Sequence, residues 1–525
     1  MPDNKISETI VVLGIPISNL SLEETIKHIF SMIDSWKTDG RARQVATVNV
    51  DFVVNTLTWK LSRVRHPELL DILVRSDLVT PDGMPIVLAS RLLGTPLKER
   101  VTGADLVPGL ARESARRGKS IFFLGGRGDV GQRAAEKLQQ QYPQMKIAGA
   151  YSPFVHVEGA EIADSEDQDR EIVDRINRSN ADKLLIGFGN PKQEVWFDRN
   201  RHRLKVPVSI GIGGTFEFIV GSVKRAPLWM QKTGTEWIFR ITQDPRRLWK
   251  RYFVGFFKFG LMIWPAILYY RLKRFLFKLR RSWISVLETR IPESMDSKTP
   301  HINIVSLPDH LDASIVNSVR DQVEPMIDQV SNIVLKFDHV NFIDSSGLGF
   351  IITLWRKLEE LDKKLFLTGL STSTRRFFKL TRMLERLEDR ICDTSEDVLD
   401  RIREKETTPG FYFVSQKKAG FVYIRLYGSM DAGQRGKINM DAVLAEIGES
   451  DCIVDMKKLK FVDSSGLMFF FKIHKHLANL GKRVLLCNLN TTVRQMFRIT
   501  KTERLFNIRN TAGDAEKEIA GRAEN

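Results

Sequence analysis

Residues Leu184–Glu194 read LLIGFGNPKQE, and their order decides the fold. The apolar run Leu184-Leu185-Ile186 suits a short buried strand. It stops at Gly187-Phe188-Gly189-Asn190-Pro191, after which polar Lys192, Gln193 and Glu194 open a helical stretch. Proline suits the first turn of a helix, where its missing N–H is not needed, and glycine lets a ligand approach the backbone closely. Strand, glycine turn and helix N-terminus in succession make a place for a phosphate, because free N–H groups and the helix dipole point at it. The segment predicts an α/β domain that handles a phosphorylated or nucleotide-linked ligand.

Working outward, the first 220 or so residues repeat this alternation. Ala46–Val50, Ser120–Leu124, Lys146–Ala150, Lys183–Gly187 and Pro207–Gly211 read as strands, with helical patterns such as Leu22–Ile33, Val130–Gln141 and Arg170–Asn177 between them. Strands spaced by helices imply a parallel sheet covered on both faces, and ligands of such sheets bind outside the carboxyl ends of the strands. The 525 residues are too many for one core, and at about 150 residues per domain they suggest about three. Three cysteines without CxxC spacing (Cys392, Cys452, Cys487) argue against a disulfide framework or a structural zinc. The opening MPDNKISETIVVLG lacks the basic region and apolar core of a secretory signal.

The net charge of +16 is concentrated. Between Ser222 and Arg281 stand 15 Lys/Arg against two acids, Glu236 and Asp244, interleaved with Trp229, Trp237, Trp249, Tyr252, Phe256, Phe257 and Trp264. Cations mixed with aromatic residues suit an anionic membrane interface better than nucleic acid. Tyr252–Tyr270 has nearly the length of a span, but Lys258 interrupts it and cations flank both ends. An interfacial or shallow re-entrant anchor is therefore expected rather than a span. Arg281–Pro300, polar with two prolines, reads as a linker.

Beyond it the chain repeats. Asn341-Phe-Ile-Asp-Ser-Ser-Gly-Leu348 recurs as Lys460-Phe-Val-Asp-Ser-Ser-Gly-Leu467, 119 residues later. Each copy follows an apolar strand, precedes a helix, and is followed by a second strand and an RxxF helix. A period this long marks a duplicated small domain and not a solenoid. The Asp-Ser-Ser of each copy is expected at an exposed helix N-terminus as a cap. A nucleophilic serine would need an activating base, and no histidine pattern accompanies either copy.

Other motifs admit plainer readings. Gly126-x-Gly128-x-x-Gly131 has the dinucleotide spacing, but the strand that follows ends Ile147-Ala-Gly-Ala-Tyr151 without the acid that would hold a ribose. Asp167-Gln-Asp169 resembles a metal-holding DxD, yet it lies beside Ser165 and Gln168 in a capping-box pattern, where first-turn acids favour the helix dipole. Thr80-Pro-Asp82-Gly-Met-Pro85 is a turn former or a catalytic carboxylate. In Arg100-Val-Thr-Gly103-x-Asp105, Thr102 or Asp105 would cap a helix over Leu106–Arg116.

Taken in order, Thr47-Val-Asn49, Pro81-Asp82-Gly83, Arg100-Val-Thr-Gly103, Phe123-Leu-Gly125-Gly126, Gly187-x-Gly-x-Pro-Lys-Gln-Glu194, Gly211-x-Gly-Gly214, Arg225-Ala-Pro227-x-Trp229, Glu236-Trp237, Asp244-Pro-x-Arg247 and Arg251-Tyr252 resemble the WecG/TagA/CpsF glycosyltransferases over about Ile10–Tyr252. Two departures stand out: Glu217 where the family usually has Asp, and an insertion-like stretch at Trp59–Pro67.

The resemblance implies an inverting, metal-independent transfer without a cofactor. A sugar (N-acetylmannosamine, its uronic acid or a related hexose) would pass from a UDP-sugar to a polyprenyl-diphosphate-linked saccharide in cell-envelope or exopolysaccharide synthesis. By matching positions Asp82 would be the general base. Thr47, Asn49, Arg100, Gly125, Gly126, Gly187, Gly189, Pro191, Lys192, Gln193 and Glu194 would line the substrate site, and Arg240, Arg247 and Arg251 would meet the diphosphates. Such chemistry needs one carboxylate and compensation for a leaving diphosphate.

The duplicated units resemble STAS domains, the anti-sigma-factor-antagonist fold, in which the second serine of DSSG can be phosphorylated. That points to Ser346 and Ser465. The expected division is a Rossmann-like parallel-sheet transferase over residues 1–245, basic amphipathic membrane-associating helices and a linker over 246–299, and small α/β STAS domains over 300–405 and 410–520. The implied partners are the UDP-sugar, the lipid-linked acceptor, the cytoplasmic face of the plasma membrane, a kinase or regulatory protein at the STAS units, and a second copy of the chain. Nucleic acid is not among them. The main rival reading is a non-catalytic membrane scaffold.

Overall fold

The computed structural model describes residues 8–58, 66–156, 165–283, 302–329, 332–394, 397–398, 411–418, 420–430 and 440–520. Most of the insertion-like stretch and the linker beyond Trp283 lie outside these residues. The chain opens with a hairpin of β1 (Thr9–Val12) and β2 (Ile15–Ser18). Its turn residues Leu13 and Gly14 both have positive φ, the geometry that matches strand twist in a two-residue connection.

A six-stranded sheet follows, formed by β3 (Arg43–Val48), β4 (Leu78–Pro81), β5 (Ser120–Gly125), β6 (Lys146–Tyr151), β7 (Lys183–Gly187) and β8 (Val208–Gly211). Its spatial order is β4-β3-β8-β7-β5-β6, and every pairing is parallel. This is the expected Rossmann-like architecture. The strands are apolar nearly throughout because helices cover both faces. β4 and the helix before it, Pro67–Arg75, split the run Leu69–Val79 that sequence alone left as one apolar-polar stretch.

The basic stretch forms two short helices, Leu228–Thr233 and Glu236–Gln243, and then one helix of 39 residues, Pro245–Trp283. This long tail helix is less a basic amphipathic helix than an apolar rod with cations at its ends. One face, with Phe259, Met262, Ile263, Ala266, Ile267 and Tyr270, is buried in a core shared with β1, β2 and the helices Val50–Thr56, Pro67–Arg75 and Met84–Leu92. The other face leaves Phe253, Phe257, Leu261, Trp264 and Leu268 exposed at three- and four-residue spacing, one stripe of a helix. Among the described residues Leu248–Leu276 is the one helical segment long and apolar enough to cross a membrane, with mean hydropathy 1.4.

The duplicated units are small α/β domains. The second has strands Phe411–Lys418, Phe421–Met430, Asp451–Val462, Val484–Cys487 and Asn507–Arg509 in that spatial order, parallel apart from the first hairpin. In the first, Ile302–Ser306, Asn332–Lys336 and Lys364–Thr368 form a parallel sheet. Both DSSG segments open helices, Ser345–Glu360 and Ser464–Asn479, capped by Asp344 and Asp463 through the backbone N–H groups that follow.

Both helix starts depart from expectation in being covered: Asp463 is 1% exposed, and its helix packs on Lys192–Asn200 of the N-terminal domain. In the first, Asp344, Ser345 and Ser346 are each 2% exposed, and β1 lies across the helix. β1 is buried on both faces: Ile10 and Val12 enter the core of the N-terminal domain, while Val11 enters the core of the first duplicated unit. Gly349 permits this approach, since a Cβ there would collide with the Thr9 carbonyl oxygen. The second copy has Met468 at the same position.

Polar contacts extend the seam. Arg356 donates to the Ser76 carbonyl, Arg386 pairs with Asp71, and Arg382 donates to the Thr58 carbonyl at 2.7 Å. Tyr269 of the tail helix stacks on Phe377 and donates to the Ser373 carbonyl. Gly349→Met, which installs the residue of the second copy, is expected to cost about 1–3 kcal/mol of stability by overpacking. It should also speed amide exchange in Thr9–Val12. Unchanged denaturation and unchanged exchange would mean that β1 does not lie on this helix.

Candidate active site

The carboxyl ends of β3, β4, β7 and β8 converge under the helix Glu236–Gln243 and the start of the tail helix, and enclose a cavity of about 660 Å³. LLIGFGNPKQE forms one wall as expected: β7 ends at Gly187, the backbone turns through Gly189 at φ +79°, and the helix Lys192–Asn200 begins there. Pro191, joined to Asn190 by a cis peptide, stands at the cap and not inside the first turn. The helix presents its N-terminus to the cavity, the polarity that favours an anion.

Beneath this wall the polar side chains are tightly placed. The Gly213 N–H donates to Gln193 Oε1 at 3.1 Å, and Gln193 Nε2 donates to Glu194 Oε1 at 2.6 Å. Gly211 leaves the space that both occupy, since a Cβ there would stand 2.6 Å from Gln193 Nε2. Burial pushes the Glu194 carboxyl up to about 8, so near neutral pH it is largely protonated. Thr47 Oγ1 donates to the Gly211 carbonyl at 2.8 Å, tying β3 to β8. Asn49 caps the helix Val50–Thr56 through its Oδ1, which leaves its NH₂ group for the cavity.

Asp82 follows β4 directly, and its N–H donates to the Val48 carbonyl at 2.7 Å. Burial pushes its carboxyl up to about 7, with Glu236 and Asp105 acting in the same direction and Arg240 and Arg100 against it. Arg100 Nη1 lies 2.9 Å from Glu236 Oε2, and Arg240 Nη2 lies 3.6 Å from Glu236 Oε1. Asp105, whose N–H donates to the Thr102 hydroxyl at the helix cap, pairs with Arg225 at 2.7 Å. Arg251 pairs with Asp51 on the same rim.

The structure therefore gathers Thr47, Asn49, Asp82, Arg100, Gly126, Gly187, Gly189, Lys192, Gln193, Arg240 and Arg251 around one cavity. Glu194 and Gly125 lie behind the wall, Gly125 packed on Phe188 and Gly187 at φ +92°. The side chain of Arg247 lies outside the described residues. Asp169 is buried and accepts from Trp196 Nε1 at 2.8 Å and Asn200 Nδ2 at 3.1 Å, which gives it a structural role in place of a metal ligand. Gln168 is drawn to the Phe154 carbonyl.

Sequence reading placed Glu236 in the ordered motif series but gave it no role; in the structure it is the carboxylate between two arginines. The available signal was its place as one of two acids in a run of 15 cations. It also did not anticipate the aromatic side of the cavity, where Trp237 meets Phe256 edge-on at 5.3 Å and Tyr252 packs beside them. A carboxylate pushed up to about 7 can take a proton from a hydroxyl, and the two arginines and helix N-terminus around the same cavity can balance a departing phosphate.

The sequence model of the glycosyl transferase WecG/TagA/CpsF family matches residues 10–273, and that of the STAS domain matches residues 295–398 and 412–515. Among similar proteins is the N-acetylglucosaminyldiphosphoundecaprenol N-acetyl-beta-D-mannosaminyltransferase of Bacillus subtilis, 34% identical over 202 residues, which are 38% of this chain and 74% of that protein. The Staphylococcus aureus protein of the same name is 28% identical over 240 residues, 46% of this chain and 85% of its own length. The solved structure of the anti-sigma factor antagonist SpoIIAA in its unphosphorylated form aligns with 21% of this chain and 96% of its own, at 25% identity and a TM-score of 0.19. The chain belongs to the WecG/TagA/CpsF family of glycosyl transferases and carries two STAS domains behind the transferase domain.

Proposed function

We propose that the chain transfers N-acetylmannosamine, or a closely related sugar, from a UDP-sugar to a polyprenyl-diphosphate-linked saccharide. Asp82 serves as the general base, and the configuration at the transferred carbon inverts. The observation that carries this reading is the Asp82 carboxyl, pushed up to about 7, in one cavity with Thr47, Asn49, Arg100, Gln193 and Arg240. A base of that strength accepts the acceptor hydroxyl proton near neutral pH. As the sugar–phosphate bond breaks, negative charge grows on the UDP, and Arg100, Arg240, Arg251 and the N-terminus of the helix Lys192–Asn200 are the groups at hand to balance it. The names of the relatives support the acceptor class and the sugar.

The acceptor is a lipid, and the tail helix fits a membrane surface at its cytoplasmic face. With one face in the protein core the helix lies against the body, while Trp264, at 64% exposure, and Phe257, at 69%, mark the stripe that would enter the interface. Exposed Lys258 can extend its charge to the headgroups from the flank of that stripe. The STAS units serve docking or regulation. Phosphorylation of Ser346 would place about −2 charge under β1, so it would require the first unit to leave the hairpin. The Ser465 side chain lies outside the described residues, and its modification stays a separate proposal.

Two outcomes follow. UDP release from UDP-N-acetylmannosamine and a lipid-diphosphate acceptor should fall about 10²- to 10⁴-fold in Asp82→Asn. In the wild type, kcat/KM should climb as pH rises to about 7 and then level, because the base works deprotonated. Equal rates from both proteins would refute the assignment of the base. Separately, Phe257→Glu with Trp264→Glu should abolish co-sedimentation with anionic vesicles while preserving turnover of a short-chain soluble acceptor. Undiminished sedimentation would place the anchor elsewhere.

A further inference from the structure

Glu236 is the first residue of the helix Glu236–Gln243 and is 9% exposed, yet it is a carboxylate facing a cavity that has to receive anions. Its two oxygens are divided between two arginines. Arg100 Nη1 is 2.9 Å from Oε2, and Arg240 Nη2 is 3.6 Å from Oε1. Arg100 comes from the transferase domain, just before the helix Gly103–Arg117, and Arg240 comes from the tail. Each arginine has a second restraint: Arg100 lies 3.8 Å from Asp105, and Arg240 stands over the Phe218 ring at 4.6 Å.

We propose that Glu236 is a positioning residue for the base: by holding Arg100 and Arg240 it keeps the two guanidinium groups from closing on Asp82 as salt-bridge partners. The inference rests on the role of Asp82 as the base. A carboxylate bonded directly to an arginine is a weak proton acceptor, because the adjacent cation favours its charged form. A carboxylate whose neighbouring arginines are neutralised by other acids keeps its basicity, and the same arginines remain in place for the phosphates.

The charges facing Asp82 agree with this division. Arg100 and Asp105 belong to the transferase domain, Glu236 and Arg240 to the tail, and the rim adds the Arg251–Asp51 pair, Arg127, Lys192, Glu217 and Tyr252. Two cations and two anions act on Asp82 in opposite directions, and burial sets the direction of its shift. Removal of one anion from that set leaves an excess positive charge beside the base.

The test is the pH profile of kcat/KM for full-length wild type, Glu236→Gln and Arg240→Gln, with UDP-N-acetylmannosamine and a short-chain lipid-diphosphate acceptor. Glu236→Gln should move the acid limb down by about one pH unit and lower the plateau, because a weaker base transfers the proton less well. Glu236→Asp should restore both in part. Arg240→Gln should move the limb the opposite way, and this keeps the idea open to refutation should Glu236→Gln fail to fold. A Glu236→Gln enzyme with a lowered plateau and an unmoved limb would show that Glu236 only ties the tail in place, which overturns the proposal while leaving the transferase reading intact. Wild-type protein without turnover would overturn the transferase reading and this proposal together.

Discussion

The pairing of Glu236 with Arg100 and Arg240 is the contact on which the closed cavity depends. The carboxyl edge of a parallel sheet cannot close itself. Strand ends and glycine turns there leave polar groups and space, and something from outside the sheet has to cover them. Here the cover is the tail, and its attachment point is a carboxylate shared by one arginine of the domain and one of its own. Two guanidinium groups brought to one carboxylate would repel in the low-dielectric interior without that anion between them. Under the proposed mechanism the ion pair serves enclosure and electrostatics at once, since it brings cations over the site while keeping them from pairing with the base.

The same tail links catalysis to the rest of the chain. After the helix Glu236–Gln243 it becomes the 39-residue helix whose buried face completes the core of the transferase domain, with Phe342 of the first STAS unit in the same cluster. The hairpin strand β1 belongs to two cores, one on each face. A segment shared between cores couples their stability, so the first STAS unit braces the tail. Both motifs are used as internal contacts: the first unit's helix takes β1 at Gly349, and the second unit's helix, with Met468 at that position, packs on Lys192–Asn200. The two units thus contact different elements of the transferase domain.

Much of this is legible in the sequence. Lys183–Gly187, Val130–Gln141 and Lys364–Thr368 stand where apolar runs and helical periodicity place them, because each is a local pattern with a clear punctuating residue. Asp82 was legible as either a turn former or a catalytic acid, and the cavity around it favours the second reading. The hairpin was missed because a strand buried on both faces shows no alternation, and TIVV resembles any apolar start. The burial of Ser346 was not legible either. Capping is a local property of Asp-Ser-Ser-Gly, but exposure depends on what packs against the helix, and that partner lies more than 300 residues upstream. The Gly349/Met468 difference was visible in the repeat, though its meaning needed β1 beside it.

The central claim is that one cavity binds the nucleotide through its arginines and helix N-terminus while Asp82 performs only the proton transfer. Calorimetric titration of UDP into the full-length chain in the presence of EDTA tests this most directly, with wild type, Asp82→Asn and Arg240→Gln compared. The account predicts one site per chain, affinity unchanged to within a few-fold in Asp82→Asn, and clearly weaker binding in Arg240→Gln. Binding lost in Asp82→Asn and retained in Arg240→Gln, or binding that appears only when a divalent cation replaces EDTA, would contradict it.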